Sequence, residues 1–70
     1  MQDVDLGIKL SNQRKAIKKS RQEIADELHV NISTVRRWEL GQPFKASILL
    51  DVAKAYRIDV ESLVKMMVKD

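Results

Sequence analysis

Residues 20–41 read SRQEIADELHVNISTVRRWELG, and this stretch decides the fold. The Ser20 hydroxyl can accept from the first turn of a helix while Glu23, three residues on, reaches back to complete a capping box. Ile24, Ala25 and Leu28 then fall on one apolar stripe. His29 to Asn31 form a turn, and Asn31 caps another helix, with Val30 and Val35 spaced as a hydrophobic staple. Gly41 ends that helix because glycine takes the left-handed conformation cheaply, and Pro43 prevents continuation.

Working outward, the same punctuation predicts an all-α fold of five helices. The first covers about residues 6–18, with Leu6, Leu10 and Ile17 on one stripe. The fourth covers about 45–56 and buries Ile48, Leu49, Val52 and Tyr56. Arg57 and Ile58 make a second turn, Asp59 caps, and Ile58 with Leu63 repeats the staple spacing before a fifth helix that ends near Met67. Strand alternation is nowhere convincing. The chain has 70 residues, 44% of them hydrophobic, with one proline and two glycines, which is enough for one compact domain over 1–70 with its core in about 6–67. A domain this small buries roughly 60% of its unfolded surface, so its stability depends on tight packing or a partner subunit. Cysteine is absent, which removes disulfides and thiolate metal sites and is compatible with a reducing cytosol. The opening MQDVDLG lacks the basic and apolar regions of a signal peptide, and apolar runs are far shorter than a membrane span. A soluble cytoplasmic protein, associated with the nucleoid, is expected. Met66, Met67 and Val68 form an apolar tail that can fray, finish the core or seal a dimer.

The net charge of +3 is unevenly spread. Residues 9–21 hold six basic side chains (Lys9, Arg14, Lys15, Lys18, Lys19 and Arg21) and no acidic one, whereas 46–70 carry four of each sign. A polyanion would meet the N-terminal half, and a lysine-rich helix face is otherwise solvated. Side chains step about 100° around a helix, which puts Val35 and Trp38 of the third helix on one side, with Ile32 and Glu39 at the border. Ser33, Arg36, Arg37 and Leu40 fall on the other side, flanked by Thr34. Two guanidiniums and a hydroxyl on a supported helix are what base readout needs, because arginine donates two hydrogen bonds to guanine. Two helices joined by a tight turn place the second in the major groove. The second helix would stand across the backbone, where its first N–H groups, Arg21 and Gln22 could hold a phosphate. Trp38 at this spacing is core, and His29 is a turn residue without metal-ligating partners. No phosphate loop, zinc pattern or activated nucleophile is present, so neither catalysis nor a cofactor or metal is expected.

The spacing of Ile24, Ala25, Leu28, Val30, Val35 and Trp38, followed by Glu39-Leu40-Gly41, resembles the helix-turn-helix of the Cro and lambda-repressor (XRE) family. The resemblance runs from about residue 6 to 64 and includes Tyr56-Arg57-Ile58-Asp59 at the entry to the last helix. It implies that Ala25 sits where the two helices nearly touch, and that Arg14 and Glu39 form a structural ion pair. By position it implies base contacts from Ile32, Ser33, Thr34, Arg36 and Arg37. Backbone contacts are expected from Ser20, Arg21, Gln22, Asn31, Gln42 and Lys45. His29 and Arg57 replace common turn glycines, so either the turns differ or a left-handed cost of roughly 1 kcal/mol is accepted. Ile32 replaces a polar residue and either touches a thymine methyl or packs inward. Leu40 replaces a common backbone-contacting polar residue, and the loop from Gln42 to Lys45 is about one residue shorter than usual.

These readings point to a sequence-specific regulator of transcription, a repressor that binds a palindromic operator on double-stranded DNA as a homodimer. Pairing would use the fifth helix through Ile58, Val60, Leu63 and Met67. The alternative is a protein-interaction module on the same scaffold, such as an antitoxin or a polymerase-docking regulator, and a third reading is a binder of anionic membrane surfaces.

Overall fold

The computed structural model describes residues 4–67. Five α-helices follow one another: α1 (Val4–Ala16), α2 (Arg21–Leu28), α3 (Ile32–Glu39), α4 (Leu49–Tyr56) and α5 (Val60–Met67), with a 3-10 turn at Ala46–Ile48 before α4. The described residues contain no strand. The caps read from the sequence are in place. Glu23 N–H donates to Ser20 Oγ at 3.1 Å, and Ser20 N–H to Glu23 Oε1 at 3.0 Å. Ser33 N–H donates to Asn31 Oδ1 at 3.0 Å, and Ser62 N–H to Asp59 Oδ2 at 3.3 Å.

Four of the helices end in one way. A residue of positive φ reverses the chain, and the N–H after it bonds a carbonyl five residues back, satisfying an orphan acceptor of the last turn. The reversing residues are Lys18, His29, Gly41 and Arg57, with φ of 57°, 55°, 103° and 54°. The closing bonds are Lys19 N–H to Arg14 O, Val30 to Ala25, Gln42 to Arg37 and Ile58 to Ala53, at 3.1, 3.0, 3.0 and 2.9 Å. The turns at His29 and Arg57 therefore keep the left-handed geometry without glycine. Lys18, for which the sequence offers no such signal, does the same and ends α1 at Ala16 rather than near 18. Ile17 thus lies beyond the helix, half-buried, and the buried α1 face is Leu6, Gly7, Leu10 and Arg14. The expected fourth helix also starts later. Lys45 is extended (φ −69°, ψ 141°), and the next three residues coil more tightly before α4 begins.

The core gathers Leu6 and Leu10 from α1, Ile24 and Ala25 from α2, Val35 and Trp38 from α3, and Phe44 from the loop. Val52, Ala53, Ala55 and Tyr56 of α4 and Leu63 of α5 complete it. Trp38 and Phe44 meet edge to face, with centroids 5.8 Å apart. Leu63 is 0% exposed, so it belongs to this core and not to a surface where another chain could pair. Ile58 and Val60 are half-buried against the same core, as is Met66. The Met67 side chain and Val68 lie outside the described residues.

Gly7 fixes how closely α1 approaches α3. A Cβ there would stand 2.6 Å from Glu39 O and 2.8 Å from Gly41 N, backbone atoms that cannot turn aside. Gly7→Ala is therefore expected to destabilise the fold by roughly 1–3 kcal/mol, the range for forced overpacking. Ile8→Ala, next to it but 51% exposed, is expected to change stability by under about 0.5 kcal/mol. Thermal unfolding followed by the single tryptophan checks both.

Candidate nucleic-acid interface

The end of α3 is held by one buried carboxylate. Glu39, 3% exposed in its side chain, accepts from Arg14 on α1, Arg21 on α2 and Tyr56 on α4. Arg14 Nε donates to both carboxylate oxygens at 3.2 and 2.9 Å, and its Nη2 to Oε1 at 3.2 Å. Arg14 Nη1 turns to Lys19 O at 3.0 Å. Tyr56 Oη donates to Oε2 at 2.8 Å, and Arg21 Nε to Oε1 at 3.2 Å. Burial pushes the Glu39 carboxyl up, but the hydrogen bonds from Arg14 and Tyr56 and the charges of Arg14 and Arg21 outweigh it and hold the group below its ordinary value. Burial, and then the bond to Glu39, push the Tyr56 phenol far above its ordinary value. Arg14 and Glu39 are thus paired where the resemblance implied, while the roles of Tyr56 and Arg21 in the cluster come from the structure.

With its end pinned and Val35 and Trp38 buried, α3 turns the opposite face outward. Ser33, Arg36 and Arg37 are exposed, and Thr34 is half-buried. Neither arginine has an acidic partner within ion-pair distance among the described residues. Ser33 Oγ donates to Asn31 Oδ1 at 2.9 Å, which leaves its lone pairs for another donor. Leu40 stands 66% exposed at the far end of the face. Ile32 is half-buried, with one side packed against the core and the rest of its surface open at the edge of the outward face.

The basic run of residues 9–21 is partly consumed within the fold. Arg14 is buried, Lys19 pairs with Glu27 and donates to Ala55 O at 3.1 Å, and Arg21 is bound to Glu39. Lys9, Lys15 and Lys18 remain exposed. Among the residues expected to meet the DNA backbone, Ser20, Asn31, Gln42 and Lys45 are exposed, and Gln22 is exposed while donating to Asp26 at 2.8 Å. Gln13, which the sequence did not single out, donates to Tyr56 O at 3.2 Å and ties α1 to the end of α4.

The family model described as helix-turn-helix matches residues 10–63. The chain belongs to the helix-turn-helix family. The matched span contains the whole Glu39 cluster and all of α3, and it bears out the resemblance read from the sequence. The chain is also similar to the cryptic phage CTXphi transcriptional repressor RstR of Vibrio cholerae serotype O1, with 32% identity over 56 residues, covering 79% of this chain and 50% of that protein. It therefore spans about half the length of this curated relative. No solved structure matches it significantly. No helix among the described residues is long and apolar enough to cross a membrane.

Because Glu39 is held below its ordinary 4.5 in the folded chain, its contribution to stability is complete above about pH 4.5 and is lost as pH falls below it. Glu39→Gln is expected to flatten that acid-side decline and to lower stability at neutral pH by about 3 kcal/mol, through breaking a buried pair. Urea unfolding between pH 3 and 7 measures both. Tyr56 is the only tyrosine, so absorbance of its phenolate is expected to appear only as the chain unfolds in alkali, above the ordinary value of 10.0.

Proposed function

We propose that this chain binds double-stranded DNA in a sequence-specific way and regulates transcription by occupying an operator. The observation that carries the reading is α3 itself: one side is buried, its end is fixed to three other helices, and its free face offers unpaired Arg36 and Arg37 beside Ser33. In a major groove, the arginines donate to guanine edges while Ser33 and Thr34 meet neighbouring donors, acceptors or methyl groups. Ile32 supports the helix from its inner edge. Arg21, Gln22, Ser20, Asn31, Gln42 and Lys45 flank that face and set its register on the phosphates, together with the N–H groups that open α2.

This mechanism needs no catalysis and no cofactor. Occupancy excludes polymerase, and the similarity to a phage repressor supports the negative sign of the regulation. One recognition helix reads only a few base pairs, so two copies on a palindrome, about one helical turn apart, give useful specificity. With Leu63 committed to the core, pairing through α5 and the turn before it would use the half-buried Ile58 and Val60 with Val64, which is 39% exposed. Such a regulator works on the nucleoid, in the cytoplasm.

Selection from a random duplex pool is expected to return a palindrome. Arg37→Ala is expected to weaken binding to the selected duplex by about 1–3 kcal/mol and to relax preference at one position of each half-site. Equal affinity for the selected and a scrambled duplex would sink the reading and leave a protein partner as the better explanation of the scaffold.

A further inference from the structure

Arg21 opens α2 where a phosphate is expected, yet its Nε is already bound to Glu39 Oε1 at 3.2 Å. The pairing does not silence it. Glu39 carries one negative charge and lies against two guanidiniums, and Arg14 takes both carboxylate oxygens while almost fully buried. The cluster therefore keeps one net positive charge. That charge resides on Arg21, whose side chain is 42% exposed against 9% for Arg14. Among the described residues no protein acceptor takes the Arg21 Nη groups. Arg21, Arg36, Glu39 and Leu40 line a recess of about 170 Å³, so a second guanidinium, unpaired and on the reading helix, borders the same space.

We propose that Glu39 is a positioning residue for DNA binding: anchored by Arg14 and Tyr56, it holds the Arg21 guanidinium by its Nε edge so that the Nη edge meets a backbone phosphate in the recess shared with Arg36. The inference rests on the DNA-binding reading and adds a second task to a carboxylate that otherwise only ties helices together. Arginine presents its donors in a rigid plane, so fixing one edge fixes the direction of the others, and the rotamer entropy of a long side chain is lost on folding and not on binding. Lysine in the same place brings the charge without the second edge.

Charge and positioning predict opposite signs, which makes the test sharp. The probe is a duplex of about 20 base pairs at low salt, where phosphate contacts dominate affinity. The unaltered protein is compared with Glu39→Gln and Arg21→Lys at a temperature where Trp38 fluorescence reports a folded chain. Glu39→Gln raises the net charge by one, yet it is expected to weaken binding about 3-fold or more, because one neutral amide oxygen replaces the two charged oxygens that Arg14, Arg21 and Tyr56 share, and Arg21, the more exposed arginine, is held less firmly. Arg21→Lys keeps the charge and is expected to weaken binding by a similar factor. The Nε–H resonance of Arg21 is expected to remain hydrogen-bonded on the duplex. Tighter binding by Glu39→Gln, unchanged binding by Arg21→Lys, or release of that Nε–H on DNA each overturns the proposal. If Glu39→Gln does not fold, Arg21→Lys and the resonance decide. Failure of the unaltered protein to bind any duplex would instead overturn the DNA-binding reading beneath it.

Discussion

The structure turns on a single carboxylate taken out of water. Glu39 ends α3, and its desolvation has to be offset by donors, which come from three different helices: Arg14, Arg21 and Tyr56. A charge satisfied in this way tolerates few other arrangements, so it fixes α3 relative to α1, α2 and α4 together. The backbone of α1 reaches the same place through Gly7, whose missing side chain lets it lie against Glu39 O and Gly41 N. Apolar packing of Val35 and Trp38 sets how deep α3 sits, and the carboxylate sets where its end points.

That fixation divides the basic residues by task. Arg14 and Lys19 are consumed inside the fold, tying α1 and the turn after it to α3, α2 and α4. Arg36 and Arg37 carry their charge outward from a rigid helix, and Arg21 stands between the two groups. A chain with a modest net charge can therefore offer two unpaired guanidiniums on one helix face, because the carboxylate that ends that helix is bound to Arg14, Arg21 and Tyr56.

What the sequence made legible was mostly local. The capping box at Ser20 and Glu23, the Asn31 cap and the turn at Gly41 depend on residues two to five apart, and such patterns survive in one dimension. Lys18 reverses the chain with no residue-type signal, so the end of α1 at Ala16 is not visible in the sequence. Tyr56 at helical spacing reads simply as core, since nothing in its neighbours reveals a carboxylate 17 positions away. Gly7 looks like an ordinary helical glycine until the helix that crosses it is known. The outward face of α3 follows from angle alone, and the angle leaves Ile32 at a border, where the structure half-buries it. Leu63 reads as a dimer contact but lies in the core, since an apolar stripe on a short terminal helix looks the same whether it meets its own chain or another.

We propose that DNA sits on the exposed face of α3, which the Glu39 cluster sets in place. Backbone amide shifts recorded while a pool-selected duplex is titrated into the protein test this most directly. The largest changes are expected from Asn31 to Arg37 and at Arg21 and Gln22, with little change around Asp51 and Lys54 on α4. Changes centred on α4, with α3 undisturbed, would contradict it.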